Sequence, residues 1–195
     1  MEKGTEGGSE GKEGAGGKGT DKRRLYGIVA AVGIVVVALI LLLSSDGDDS
    51  SGEPAAAPEV LSVDALGDTV SGQEPPVYWA GEQSGAEVEL SRPEASRTYI
   101  RYLTDGAEAG DERADFLTVG TYAHTDPVAA LRKQGDEPGG VIATAPGGAT
   151  VYFNRKQPHS VYLAYPGVEA EIEVFDPNFT RALQLVNSGQ IVPVG

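Results

Sequence analysis

The run LYGIVAAVGIVVVALILLL, Leu25–Leu43, holds nineteen consecutive residues without a charge or a strongly polar side chain. At about 1.5 Å of rise per residue, a helix of this length measures about 28 Å, close to the roughly 30 Å hydrocarbon core of a bilayer. Its Val and Ile residues lower helix propensity in water. In hydrocarbon, however, every backbone N–H must be paired inside the segment, so the helix wins. Lys22, Arg23 and Arg24 precede the run, and Asp46, Asp48 and Asp49 follow it. Positive charge on the N-terminal flank predicts that this end stays in the cytoplasm and that the rest of the chain lies outside. A cleaved secretory signal is the competing reading. Such a signal has an apolar stretch of about 7–15 residues and a small-x-small site, which Ser45-Asp46-Gly47 supplies poorly. Arg23-Arg24 lacks the consensus of a twin-arginine signal and is explained as the inside anchor. Gly27 and Ala31 permit close approach of a second helix without requiring it.

The anchor, taken as residues 25–44, separates segments of different composition. Residues 1–24 contain eight Gly and only Met1 and Ala15 as apolar side chains. With nothing to bury, the entropy lost on ordering is never recovered, which predicts a disordered cytoplasmic tail. Residues 45–76 are rich in Asp, Ser and Pro and read as a flexible stalk. Within them, Val60–Val70 reads either as part of that stalk or instead as a short strand or helix lying on the domain. The chain has a formal charge of −14, and the part beyond the membrane, with 24 acids and 9 bases, carries −15. That excess excludes nucleic acid as an electrostatic partner and opposes adhesion to anionic lipid, leaving neutral, cationic or metal-like partners. Zero Cys excludes disulfides, thiolate zinc sites, thiol catalysis and Cys-linked lipid.

From residue 77 to 195, short β-patterned runs alternate with turn residues. The pattern predicts strands at Val77–Ala80, Ala86–Ser91, Arg97–Thr104, Phe116–Ala123, Val141–Ala145, Thr150–Asn154, Ser160–Tyr165, Ala170–Phe175 and Ile191–Val194. In AEVELS, Val88 and Leu90 alternate with Glu87 and Glu89; in AEIEVFD, Ile172 and Val174 alternate with Glu171 and Glu173. Period two predicts one packed face and one wet face. Two segments carry helical spacing instead, Asp126–Gly135 and Asp176–Gly189. Each opens with Asp as cap and Pro as first helical residue, and each closes on Gly.

The order strand, strand, strand, helix, strand occurs twice, over about 86–145 and about 149–195. This predicts an α+β fold: one N-terminal transmembrane helix, then a mainly antiparallel extracytoplasmic domain built from a duplicated β-β-β-α-β unit sharing one core. Chance recurrence of common start and stop signals is the alternative to duplication. The strand–helix–strand portions suit right-handed crossovers between parallel strands, and Pro193 suits an edge.

Candidate chemistry is sparse. His124 and Asp126 lie two apart, with His159 in the second repeat, the minimum for an envelope hydrolase or a zinc site. Turn chemistry accounts for both His residues, and capping accounts for Asp126. The loop Asp105–Asp115 is acidic but lacks the ligand order of an EF-hand, and it reads as a solvated insertion open to partner contact. GEQSG at 81–85 misplaces the Ser of a G-x-S-x-G elbow, and no P-loop or H-E-x-x-H motif occurs. No cofactor is implied. Aromatic residues are more informative: Trp79 with Arg97, Tyr99 and Arg101 suggests a strand-borne face able to hold a sugar or peptide by stacking and hydrogen bonding. Plain half-buried strand tyrosines are the other explanation.

The phrases VYWAG, YIRYL, FLTVGTY, VYLAYPG and EIEVFDP, behind a KRR-flanked anchor, resemble uncharacterised single-pass membrane proteins of actinobacteria. The resemblance covers most of residues 24–195. It implies a bacterial envelope location and brings no catalytic residue. The expectation is therefore a module anchored in the bilayer through Leu25–Leu43 that binds an envelope protein or wall component. The alternatives are a hydrolase using His124 or His159 with Asp126, and a purely structural tether.

Overall fold

In the computed structural model, residues 56–195 are described, and they begin with strand β1 (Ala56–Leu61) and helix α1 (Val63–Val70). The expected membrane span and tail lie outside the described residues; among the described residues no helix is long and apolar enough to cross a membrane. After α1 come β2 (Tyr78–Trp79), β3 (Glu87–Glu94), β4 (Arg97–Leu103), β5 (Thr118–Ala123) and α2 (Pro127–Gly135). The chain continues through β6 (Gly140–Thr144), β7 (Thr150–Asn154), β8 (Ser160–Ala164), β9 (Ala170–Phe175), α3 (Phe179–Asn187) and β10 (Val192–Pro193). An eight-stranded sheet runs in the order β1-β3-β4-β5-β9-β8-β7-β6, and β10 pairs with β2 in a separate ribbon.

The β1–α1 segment settles the ambiguity at Val60–Val70 and corrects the expected domain start at residue 77. Pairing with β3 places β1 at the sheet edge, while Ser62 caps α1 by accepting from the Ala65 N–H at 3.2 Å. Leu66 is fully buried and Val70 nearly so. Each apolar side chain of that size contributes roughly 1.5–3 kcal/mol on burial, which holds a segment whose composition otherwise reads as stalk.

Every pairing in both sheets is antiparallel, so the expected parallel crossovers are corrected. Helix α2 leads to β6 on the outer side of β7, and β10 after α3 joins β2 rather than the large sheet. Pro193 lies in that two-stranded ribbon opposite Tyr78. Strand β2 is too short for a ladder of its own. Its neighbourhood is fixed by buried side chains instead: the Tyr78 N–H donates to Thr121 Oγ1 at 3.0 Å and the Ala80 N–H to the Tyr102 hydroxyl at 2.7 Å.

One face of the sheet carries the main core. Leu90, Ile100, Val119, Ile172, Val174 and Leu163 pack there with Leu66 of α1 and Ala182, Leu185 and Val186 of α3. The other face was expected to be wet, and this is the largest correction to the strand reading. Helix α2 covers its β7–β8 end through Leu131 against Tyr152 and Ala164, and the Asp105–Asp115 loop folds over its β3–β4 end. Alternation reports which residues share a face, but it cannot report what later covers that face.

Helix α2 starts as expected, with Asp126 accepting from the Ala129 N–H at 3.2 Å and Pro127 as first residue. Helix α3 starts later than expected, with Asn178 as its cap. Asp176 is otherwise engaged: it accepts from the Asn178 N–H at 2.7 Å and from Arg181 at 3.0 Å. At the end of α2, a Cβ on Gly135 would collide with Ile142 Cγ1, and one on Gly140 would fall 2.6 Å from the Gly135 carbonyl. Two glycines thus allow β6 to pass tightly behind the helix.

Candidate functional site

Register maps the half-covered face into rows. One row runs Ser91, Tyr99, Gly120, Glu173, Tyr162, Tyr152 and Ile142 from β3 to β6. The next runs Arg97, Tyr122, Glu171 from β4 to β9. At the centre lies Glu173, 4 % exposed, with no cation in salt-bridge contact among the described residues. Three hydroxyls donate to it instead: Tyr122 at 2.5 Å, Ser160 at 2.6 Å and Tyr162 at 3.2 Å. Burial raises the Glu173 pKa, while these hydroxyls oppose the rise. Burial followed by the Glu173 charge pushes neighbouring Glu171 up to about 7. Burial, then the Glu173 charge, raises Tyr122 and Tyr162 far above the ordinary phenol range, so both stay protonated donors. Tyr99 packs edge-on against Tyr122, with ring centroids 5.8 Å apart.

Toward β3 the same face holds a buried ion pair. Glu89 is fully buried; its Oε1 accepts from Arg101 at 2.8 Å and its Oε2 from the Gly110 N–H at 2.5 Å. Arg101 also donates to the Asp111 and Arg113 carbonyls at 2.7 and 2.9 Å, and its guanidinium lies 5.1 Å from the Phe116 ring centroid. Asp111 pairs with Arg113, whose hydrogen bonds hold its pKa below the usual carboxylate range. The loop is thus clamped to the sheet through its backbone. Among the described residues, no group of three or more His, Asp or Glu side chains is arranged to hold a metal ion.

One residue beyond the Tyr122–Glu171 row, at the ends of β5 and β9, lies a cleft of about 720 Å³. That volume falls within the roughly 300–1,000 Å³ range of small-ligand sites. Pro75, Pro76, Ala123 and Val168 form apolar wall, and Glu74, His124 and Glu169 supply polar groups. The His124 N–H donates to the Glu169 carbonyl at 2.9 Å, fixing the backbone where the turns after β5 and before β9 meet. The imidazole is oriented too, since Nδ1 accepts from the Asp126 N–H at 3.2 Å.

The residues singled out from sequence separate accordingly. Arg97, Tyr99 and Arg101 do share one face of β4, but Arg101 is consumed by Glu89 and Tyr99 is buried under its neighbours. Trp79 is not with them; it packs against the main core on the opposite side of the sheet. His124 and Asp126 are adjacent, whereas His159 sits in the turn before Ser160, at the other end of β9, about 17 Å along the strand. Sequence reading missed Glu173 and Glu171 as site residues because acids at alternate positions signal a solvated face. It missed Glu74 and Glu169 because only tertiary packing brings their turns to one cleft. Compared with known protein families, curated proteins and solved structures, the chain finds no match.

Proposed function

We propose that this chain is an N-inside, single-pass membrane protein of a bacterial envelope whose folded domain is a non-enzymatic binding module outside the membrane. Its partner is a protein or wall component offering a neutral or cationic group to the cleft at the ends of β5 and β9. The observation that carries the reading is the cleft itself, with proline walls and two carboxylates beside one fixed imidazole. Residues 56–195 hold 20 acids and 9 bases, and Glu74 and Glu169 line the cleft, so an anionic ligand is disfavoured there. The His124 imidazole engages only the Asp126 N–H through Nδ1 and, among the described residues, hydrogen-bonds no hydroxyl or carboxylate, which supports binding over hydrolysis. Anchoring rests on the apolar run and its Lys-Arg-Arg flank.

The test uses the full-length chain in lipid nanodiscs, immobilised and exposed to envelope extract. Specific retention that Glu169→Gln and His124→Ala both weaken supports the module. Retention of nothing specific, or turnover of an envelope substrate that His124→Ala abolishes, overturns it. The first result would favour the structural tether and the second the hydrolase.

The same reading includes the duplicated unit. Supporting it, β3-β4-β5-α2 and β7-β8-β9-α3 follow one order, and the large sheet runs β3-β4-β5 then β9-β8-β7, mirrored about the central β5–β9 pair. Hydrogen exchange reads it: β5 and β9 amides are expected to open together and last, and independent opening of one half contradicts a shared core.

A further inference from the structure

The two edges of the large sheet are built differently. At β1, Pro58, Glu59 and a break in register between Ala56 and Glu59 interrupt the outward backbone row. Devices of this kind prevent a stray strand from pairing. At β6 there is none. Gly140–Thr144 carries no charge and no proline, pairs with β7 through five unbroken positions, and leaves Ile142 42 % exposed. Gly139 and Ala145 hydrogen-bond across to Arg155 and Ala149. By antiparallel alternation, Val141 and Ala143 then face β7, while the backbone groups of Ile142 and Thr144 point outward. Among the described residues nothing pairs with them.

We infer that β6 pairs antiparallel with β6 of a second copy of this chain, centred on Ile142, to form a two-fold dimer with one continuous sheet. Ile142 and Ile142 of the partner subunit exchange two backbone hydrogen bonds, and each Thr144 N–H meets the Gly140 carbonyl of the other copy. The two exposed isoleucine side chains then cover one another.

Charge selects a second copy as occupant. Residues 56–126, which supply β1, β3, β4 and β5, hold 14 acids and 4 bases; residues 127–195, which supply β6 to β9, hold 6 and 5. Joining two chains at β6 brings the near-neutral halves together and leaves the strongly acidic halves at the far ends. The exposed bases Arg132, Lys133, Arg155 and Lys156 lie near the Gly140 end of β6. In the antiparallel pair that end meets the uncharged stretch 143–149 of the partner, so the basic groups do not oppose one another. The chain's own residues 44–55 are a poor occupant. They connect to β1, seven strand spacings or about 34 Å from β6, and twelve residues reach about 40 Å when fully extended, so about two residues would remain to pair with the five of β6.

Because the chain contains no Cys, a single introduced thiol reports the contact. In full-length protein in detergent, Ile142→Cys is expected to form a disulfide-linked dimer on mild oxidation, since opposed Cα atoms at about 5.5 Å suit the bond. Val60→Cys on β1, 41 % exposed, is expected to form no disulfide-linked dimer. Wild-type protein is expected to sediment as two chains, and Thr144→Pro, which removes an outward N–H, to weaken that association about tenfold or more while its circular dichroism spectrum stays that of the folded chain. Should Thr144→Pro fail to fold, the cross-linking comparison decides alone. A single chain at every concentration, equal cross-linking at positions 60 and 142, a folded Thr144→Pro that dimerises normally, or another protein's strand found on β6 overturns the proposal.

Discussion

The Tyr122 hydroxyl on β5 donates to the Glu173 carboxylate on β9 at 2.5 Å, between residues that are not register partners. Tyr122 reaches it by laying its ring back over Gly120, the true partner of Glu173. A buried carboxylate without a cation is expensive, and here three hydroxyl donors replace water.

Gly120→Ala tests this arrangement. The new Cβ would fall 2.8 Å from the Tyr122 hydroxyl and 3.0 Å from the ring carbon that bears it, so the ring must move and Glu173 loses a donor. The expected cost is about 1–3 kcal/mol, read from the urea midpoint with Trp79, the single tryptophan, as fluorescent probe. An unchanged midpoint contradicts the packing.

Glu171 sets a pH dependence. Its pKa rises from 4.5 to about 7 on folding, so the unfolded chain ionises first as pH rises. Ionisation between about pH 4.5 and about pH 7 therefore favours unfolding, and stability from this group is full below that window and lost above it. Glu173, also raised, acts in the same direction. Glu171→Gln is expected to lose less stability than wild type between about pH 5 and about pH 7.5 in urea titrations. An equal or steeper loss removes Glu171 from the account.

Arg101→Met strands Glu89 as a fully buried, unpaired carboxylate and releases the clamp on the Asp111 and Arg113 carbonyls. The expected loss is about 3–5 kcal/mol, with new protease cleavage in the Asp105–Asp115 loop. Adding Glu89→Leu removes the stranded charge and should restore much of the stability without restoring loop protection. A double variant no more stable than the single one contradicts this division of roles.

Much of the fold was legible because local rules wrote it. Thr150–Asn154 and Ala170–Phe175 fall where their alternation predicts, and Asp126-Pro127 starts α2. What stayed hidden depends on contacts distant in sequence. Glu89 and Glu173 read as solvent-facing residues of alternating strands, and only the loop and the cross-strand hydroxyls bury them. Asp176 has the sequence of a helix cap, but Arg181 and the Asn178 N–H claim it first. β1 and α1 lie in acidic, Pro-containing sequence whose few apolar residues, Leu66 foremost, find their place against strands that follow later. The site was the least legible part, since the cleft draws on three separate turns.

The central proposal is that the folded domain stands outside a membrane that Leu25–Leu43 crosses once. In the naturally Cys-free chain, Ser9→Cys and Gln157→Cys can each be exposed in intact cells to a membrane-impermeant thiol reagent. The account predicts labelling of Gln157→Cys in intact cells and of Ser9→Cys only after lysis. Labelling of Ser9→Cys in intact cells, or protection of Gln157→Cys until lysis, contradicts it.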